Sequence, residues 1–455
     1  MITTEKTQIK DFTKGNISSD LIKFAMPLFL SNLLQVVYNM VDMIVVGNTL
    51  GKTGISAVAV GGDVAHFLTF VAMGFSSAGQ IIIAKYIGAK KRDQLGRFVG
   101  TMSSFLIVCA IIIGALGLLF QNQLLSLMNT PTEAYAGARA YSVISMAGLV
   151  FIYGYNVVSA ILRGMGDSKH PFIFISIAAV LNLLLDIIFV MVFKMGAGGA
   201  ALATVISQAV SFISCVVFLT KNKSEFELNM KKSYFTKWDI EMLSDLVKLG
   251  TPMAIKSASI MVSKLFVNSW INSYGVAVSA FAGIANKISS ISVLVSNAMN
   301  AAGSTMVGQN IAAAEYGRVK KVLKTLAVIT LSVSTVLSVI FILFPRQIFS
   351  MFTTDSAVLN IAGGYVPIAV LLFYGSALRA IMNALLNGSG NYRINFVTAI
   401  LDGIIMRIGL AVLFGLTLGM KHYGFWLGDA LAGFTPFFIG VVFYYTGIWK
   451  KSAKV

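Results

Sequence analysis

Two aspartates in the first half of the chain stand where a carboxylate is expensive. Asp42 lies deep in an apolar run, and counting back by helical steps puts Tyr38, Gln35 and Ser31 on its face. Asp186 lies in another apolar run with Asn182 one turn before it, and a third run supplies Ala200 and Thr204, again four residues apart. An ionisable group in hydrocarbon costs about 2.5–3.5 kcal/mol or more, so each needs a reason to be there. Two carboxylates, an amide, a hydroxyl and a free carbonyl make an all-oxygen set. Hard oxygen ligands suit Na⁺, and a close carboxylate pair can hold a shared proton, because two like charges in a dry site repel. Asp42, Asn182, Asp186, Ala200 and Thr204 are therefore candidate cation ligands, with H⁺ or Na⁺ as the ion. The alternative is that the aspartates only join helix to helix, a costly bond compared with Ser or Asn.

The second half carries basic groups at similar depth. Lys256 falls about ten residues into its run, hence about 15 Å deep at 1.5 Å per residue, and Lys264 follows two turns later. Neither snorkels easily to the surface from there. Two readings stand: a basic wall that repels a simple cation and attracts an anionic or zwitterionic solute, or lysines paired with Asp402, Asp429 or carbonyl groups as structure. Lys287, Arg379 and Arg407 read as structural or cytoplasm-facing. Asp63 and His66 form either a pH-sensitive pair or loop-end structure.

Other chemistry finds little support. Cys109 and Cys215 fall inside apolar runs, and His66, His170 and His422 are scattered, so neither a disulfide framework nor a zinc or catalytic set is visible. No cofactor is expected. A phosphate loop of the G-x-x-x-x-G-K-[ST] type does not occur, so the energy must come from an ion gradient or from a partner. An enzyme such as a membrane-embedded lipid transferase would need a catalytic His or an acidic metal motif, and the chain has neither.

The elements that position these residues are membrane helices. Of 455 residues, 57% are hydrophobic and 12% charged, far from the roughly 25% charged of soluble domains. The net charge of +17 sits in short clusters between apolar runs, which argues against nucleic acid. Runs of about 20 residues recur near 21–46, 55–82, 98–120, 137–161, 171–193, 199–220, 246–273, 277–306, 319–344, 361–386, 394–419 and 423–448, about twelve helices. Basic residues fall mainly in loops after even-numbered helices and in the tails, about 25 against about five, so both termini are expected in the cytoplasm. The polar N-terminus reads as a cytosolic tail rather than a signal peptide.

The polar stretch 221–243 bisects the chain, and the sequence repeats around it. D-L-I-K-F-A-M-P (20–27) returns as D-L-V-K-L-G-T-P (245–252), and L-R-G-M-G-D (162–167) as L-N-G-S-G-N (386–391). The shift of about 224 residues implies two six-helix repeats of the same orientation. The expected organisation is an N-terminal lobe over 1–220, a cytoplasmic linker over 221–243 and a C-terminal lobe over 244–455. Pro27 and Pro252 sit at equivalent places and should each bend a helix, as a hinge or as a static kink.

Y-N-M-V-D-M-I-V-V-G (38–47), the L-R-G-M-G-D turn, L-N-L-L-L-D (181–186), the Gly-rich start of the sixth helix and the repeat layout resemble the multidrug and toxic compound extrusion (MATE) family over essentially the whole chain. The resemblance implies an all-α polytopic membrane protein of two six-helix bundles forming a V-shaped cleft. It implies cation-driven efflux of amphipathic, often cationic, compounds. It assigns Asp42, Asn182, Asp186, Thr204 and the Ala200 carbonyl to the cation site, Gln35 and Tyr38 to the substrate pocket, and Pro27 to the bend. One family branch has an acid in the seventh helix; here that helix carries Lys256 and Lys264 instead, which points to the alternative of a flippase or exporter of an anionic or lipid-linked metabolite. The expected protein is a monomeric, multi-pass antiporter of the inner membrane, surrounded by lipid, exchanging a small solute for H⁺ or Na⁺.

Overall fold

The computed structural model describes residues 7–128 and 130–452; the first six residues of the expected cytosolic tail lie outside them. Every regular element among the described residues is helical. The main ones are α1 (Ile17–Gly88), α2 (Leu95–Leu119), α3 (Thr132–Ala147), α4 (Leu149–Gly164), α5 (Lys169–Asp186), α6 (Gly196–Lys221), α7 (Ile240–Asn272), α8 (Val276–Ala312), α9 (Tyr316–Leu343), α10 (Ala362–Gly388), α11 (Tyr392–Ile400), α12 (Lys421–Ala432) and α13 (Thr435–Thr446).

In lipid a backbone can satisfy its polar groups only within its own helix or a closed barrel, so long apolar helices are the required solution. Nine described stretches are long and apolar enough to cross a bilayer, and α3–α4, bent by 51°, makes a tenth. The 72 residues of α1 would reach roughly 108 Å as a straight rod, and they break at Gly51 into two spans. The 33-residue α7 is long enough to cross, and its two deep lysines lower its apolarity. With both parts of α1 and α7 counted, the described residues contain twelve such helices.

The repeat is visible in the backbone. Gly51 (φ 65°) breaks α1 and Gly275 (φ 108°) separates α7 from α8, 224 residues later. Both conformations are open to glycine and strained for other residues. Lys90 and Ala314, and Gly166 and Gly390, are further positive-φ pairs 224 apart. Close packing repeats with the same shift. A Cβ on Gly79 would strike the Met102 side chain, and one on Gly303 the Leu326 side chain. A Cβ on Gly164 would meet the Gln80 carbonyl oxygen and Ile83, and one on Gly388 the Ser304 carbonyl oxygen and Val307. The duplication thus preserves side-chain contacts as well as helix order.

The chain folds into two compact units, and they are not the two halves of the sequence. The first comprises Leu30–Ala254 with the described residues before Phe12; the second comprises Phe12–Phe29 and the described residues from Ile255 onward. Each division falls two residues beyond a proline, Pro27 in α1 and Pro252 in α7. In the first unit the end of the borrowed segment packs tightly: Gly74 lies against the Ala254 backbone and Gly250 against Phe75. In the second unit Phe12, Leu21, Phe24 and Leu28 join a core with Ala302, Met306, Leu326 and Leu385. Phe12 is held there by its backbone as well, its N–H donating to Gln309 Oε1 (2.8 Å) and its carbonyl accepting from Arg318 Nη2 (3.0 Å).

Three π-helical turns interrupt the spans, at Ile187–Val192, Leu401–Ile405 and Leu413–Thr417. The first and third begin 226 residues apart and belong to the repeat. The first starts at the residue after Asp186 and the second contains Asp402. A π turn adds a residue to the ladder and re-aims the side chains around it. Gly164→Ala and Gly388→Ala should each lower the melting temperature of the purified protein, by an amount matching about 1–3 kcal/mol of overpacking. Unchanged melting in both would contradict the close approach at these positions.

Candidate functional site

The predicted cation ligands converge inside the first unit. Asp42 comes from the first span, Asn182 and Asp186 from α5, and Ala200 and Thr204 from α6. All but Thr204 are nearly sealed from the surface: Asp186 is 0% exposed, Asn182 2%, Ala200 2% and Asp42 8%. The carboxyl groups of Asp42 and Asp186 lie close enough to act on one another electrostatically. They can bond only through a shared proton, because carboxylates bring acceptors alone.

The surroundings do not supply the missing donors. Both Asp186 oxygens, Asp42 Oδ1 and both polar atoms of the Asn182 amide have no hydrogen-bond partner among the described residues. No lysine or arginine is ion-paired with either aspartate among those residues. The Thr204 hydroxyl donates to the Ala200 carbonyl at 3.0 Å, leaving its own lone pairs free to accept. An unmatched buried polar atom costs about 1–3 kcal/mol, so this arrangement is stable only with something positive added. Its donor set suits a proton or a small hard cation.

A small pocket opens beside the pair. Tyr38, Asn182, Thr204, Ser207 and Gln208 give it polar edges, and Ile175, Ala178 and Ala179 give it apolar ones. Asn182 and Thr204 belong to pocket and cation site together. Gln35 lies half-buried one turn before Tyr38 and is not among the pocket residues. Sequence reasoning missed Gln208, which lines the pocket together with Tyr38, and Tyr141, which lies near Thr204. Neither residue shares a helix with that neighbour, so no local spacing announces the proximity.

The second unit has a different polar interior. Asp402 is fully buried and accepts from Arg379 Nη2 at 2.8 Å and Arg407 Nη2 at 3.3 Å. Arg407 also pairs with Asp429. The structural reading of Arg379 and Arg407 therefore holds, and the aspartates proposed as lysine partners are bonded to arginines. Lys256 donates instead to Asn383 Oδ1 at 2.8 Å, a partner 127 residues away. Lys264 is exposed and lies in the field of Asp429. His66 packs edge-on against Phe70, with Asp63 acting on it only as a nearby charge.

Comparison with known proteins agrees with this architecture. A family model described as MatE matches residues 27–188 and again 252–414, so each repeat carries one copy. The chain belongs to the MATE family. The probable multidrug resistance protein YoeA of Bacillus subtilis (strain 168) is 29% identical over 446 residues, covering 97% of this chain and 96% of that protein. The multidrug export protein MepA of Staphylococcus aureus (strain N315) is 24% identical over 417 residues, covering 90% and 91%. A solved MOP superfamily transporter from Pyrococcus furiosus superposes with a TM-score of 0.89 at 21% identity, covering 99% of this chain and all of that one. A Vibrio cholerae MATE transporter, VcmN, gives 0.87 at 18% identity, covering 96% and 98%. The protein is thus a multi-pass membrane transporter of small molecules, and the transferase reading falls away.

Replacing Asp186 by Asn puts a permanent N–H donor beside Asp42. Asp186→Asn should melt at least as high as the unsubstituted protein, with a gain of about 1–2 kcal/mol if the new bond forms. A fall of several degrees would show that the Asp186 carboxylate has a partner of its own.

Proposed function

We propose that this MATE transporter is a secondary antiporter that exports small amphipathic organic compounds in exchange for H⁺ or Na⁺, the ion binding at Asp42, Asn182, Asp186, Ala200 and Thr204. One observation carries the reading: two sealed carboxyls meet without a donor between them, next to a pocket that shares two of their neighbours. A bound ion removes the repulsion and satisfies the orphan oxygens; its departure restores both costs. Coupling follows when ion and solute prefer different conformations, since a ligand shifts an equilibrium only by its differential affinity.

Solute binds at Tyr38, with Gln35 one turn away, where polar and apolar walls suit an amphipathic molecule. Pro27 and Pro252 act as the hinges. Proline removes a helix bond at a cost of about 3 kcal/mol, and the units divide just beyond each one. The relatives that match nearly end to end are described as multidrug resistance and export proteins, which supports export of drug-like compounds. The transporter acts as a monomer in the lipid of the inner membrane, both termini in the cytoplasm by the bias of its basic loops.

In proteoliposomes, an imposed ion gradient should drive counter-movement of an amphipathic dye, and Asp42→Asn should reduce this to the leak rate. A proton gradient imposed without Na⁺, and a Na⁺ gradient at equal pH, identify the ion. Full gradient-driven transport in Asp42→Asn would remove the assigned site.

A further inference from the structure

The second unit keeps more positive charge in its interior than its own acids can balance. Arg379, Arg407 and half-buried Lys256 stand against Asp402 and Asp429, a surplus of one, which exposed Lys264 at the edge of the group raises to two. Both acids are already taken by the arginines: Arg379 and Arg407 hold Asp402, and Arg407 holds Asp429. Lys256 has a neutral amide as its partner, which orients an ammonium group without cancelling its charge. Arg407 is 3% exposed, yet its Nε finds no acceptor among the described residues.

The cluster is graded from closed to open. Asp402 and Arg407 form a sealed floor, Arg379 and Asp429 are partly open, Lys256 is half-buried, and Lys264 is exposed. Lys264 follows Ser263, whose hydroxyl bonds the Gly403 carbonyl next to Asp402, and it lies in the fields of Asp429 and Arg407. The floor is rigidly supported, since Ser263 bonds the Gly403 carbonyl and Gly403 abuts Ser259, both on α7. Burying an uncompensated charge is far costlier than burying a pair. Pinned arginines below two lysines without acidic partners of their own, on an accessible face, have the composition of an oxyanion receptor.

We propose that Lys256 and Lys264 form an anion subsite above the Arg407–Asp402 floor, which receives the carboxylate or phosphate headgroup of an amphiphilic solute. This rests on the reading of the chain as an exporter, which makes the ligand the transported molecule. The exported solute is then anionic or zwitterionic, and its charged end is held in the second unit.

Thermal stabilisation of the full chain in uncharged detergent tests this with four probes: octanoate, octyl phosphate, octyltrimethylammonium and inorganic phosphate. Octanoate and octyl phosphate should stabilise the protein. Lys256→Gln with Lys264→Gln should weaken both by about tenfold or more, as expected on removal of two charge partners, and the double arginine variant should keep binding. Lys264→Gln alone, at an exposed position, serves if the double variant does not fold, and should itself weaken binding. Equal octanoate affinity in the glutamine variants overturns the subsite. So does stronger stabilisation by octyltrimethylammonium, and inorganic phosphate matching octyl phosphate overturns the amphiphile. Asp42→Asn should still bind octanoate while losing gradient-driven transport, so failure of the ion site and failure of the anion site are read separately.

Discussion

Two carboxyl groups facing one another in a sealed site contain acceptors and no donor. Everything specific about the first unit follows from that mismatch. A salt bridge would have resolved it permanently, and a second amide in place of one acid would have resolved it cheaply. Asp42 and Asp186 have neither remedy among the described residues. On the proposed reading the pair is satisfied by an ion that enters and leaves, and the energy released on its entry is available to select between conformations. The π turn beginning after Asp186 places irregular backbone beside that acid. Irregular helix is easier to rearrange than a complete hydrogen-bond ladder.

The two repeats show which features of an ancestral unit are constrained by packing and which are free to diverge. Glycines at the crossing points recur at a fixed shift because a Cβ there meets a backbone or a packed side chain, and Gly51 and Gly275 recur because their positive φ is strained for other residues. Polar interiors obey no such rule. The first unit retains acids without basic partners, whereas the second binds its acids with arginines and adds lysines. Helix geometry was duplicated; charge was redistributed over it. A scaffold made rigid by close contacts tolerates this, because changing which side chains line an interior does not disturb how the helices cross.

Much of this was legible in one sequence, for local reasons. Asp42 with Tyr38, and Asp186 with Asn182, share helix faces by spacing alone, and a carboxylate in an apolar run attracts notice whatever its neighbours. Pro27 and Pro252 were visible because proline cannot complete a helix. What escaped is long-range. Asn383 as the partner of Lys256, Tyr141 beside Thr204, and the arginine hold on Asp402 and Asp429 depend on how separate helices cross. The composition of the compact units was also hidden. Halves of a repeat suggest a cut at the polar stretch 221–243, but packing follows surfaces. The segment Phe12–Phe29 carries its apolar side chains into the core of the second unit.

That exchange bears on how ion binding could be felt at a distance. Asp42 belongs to the first unit, yet the helix that carries it begins in the second, and the change occurs just beyond Pro27. A helix whose ends are packed into different bodies transmits a shift at one end only if its middle resists bending. Proline lowers that resistance at one defined point. Protonation or Na⁺ binding at Asp42 would therefore be taken up as a local change of bend at Pro27 rather than as unfolding of either end. The reciprocal arrangement at Pro252 places Lys256 one turn beyond the second such point. Ion and solute would then act on matching joints of a duplicated frame, the ion from about four turns along its helix and Lys256 from about one turn.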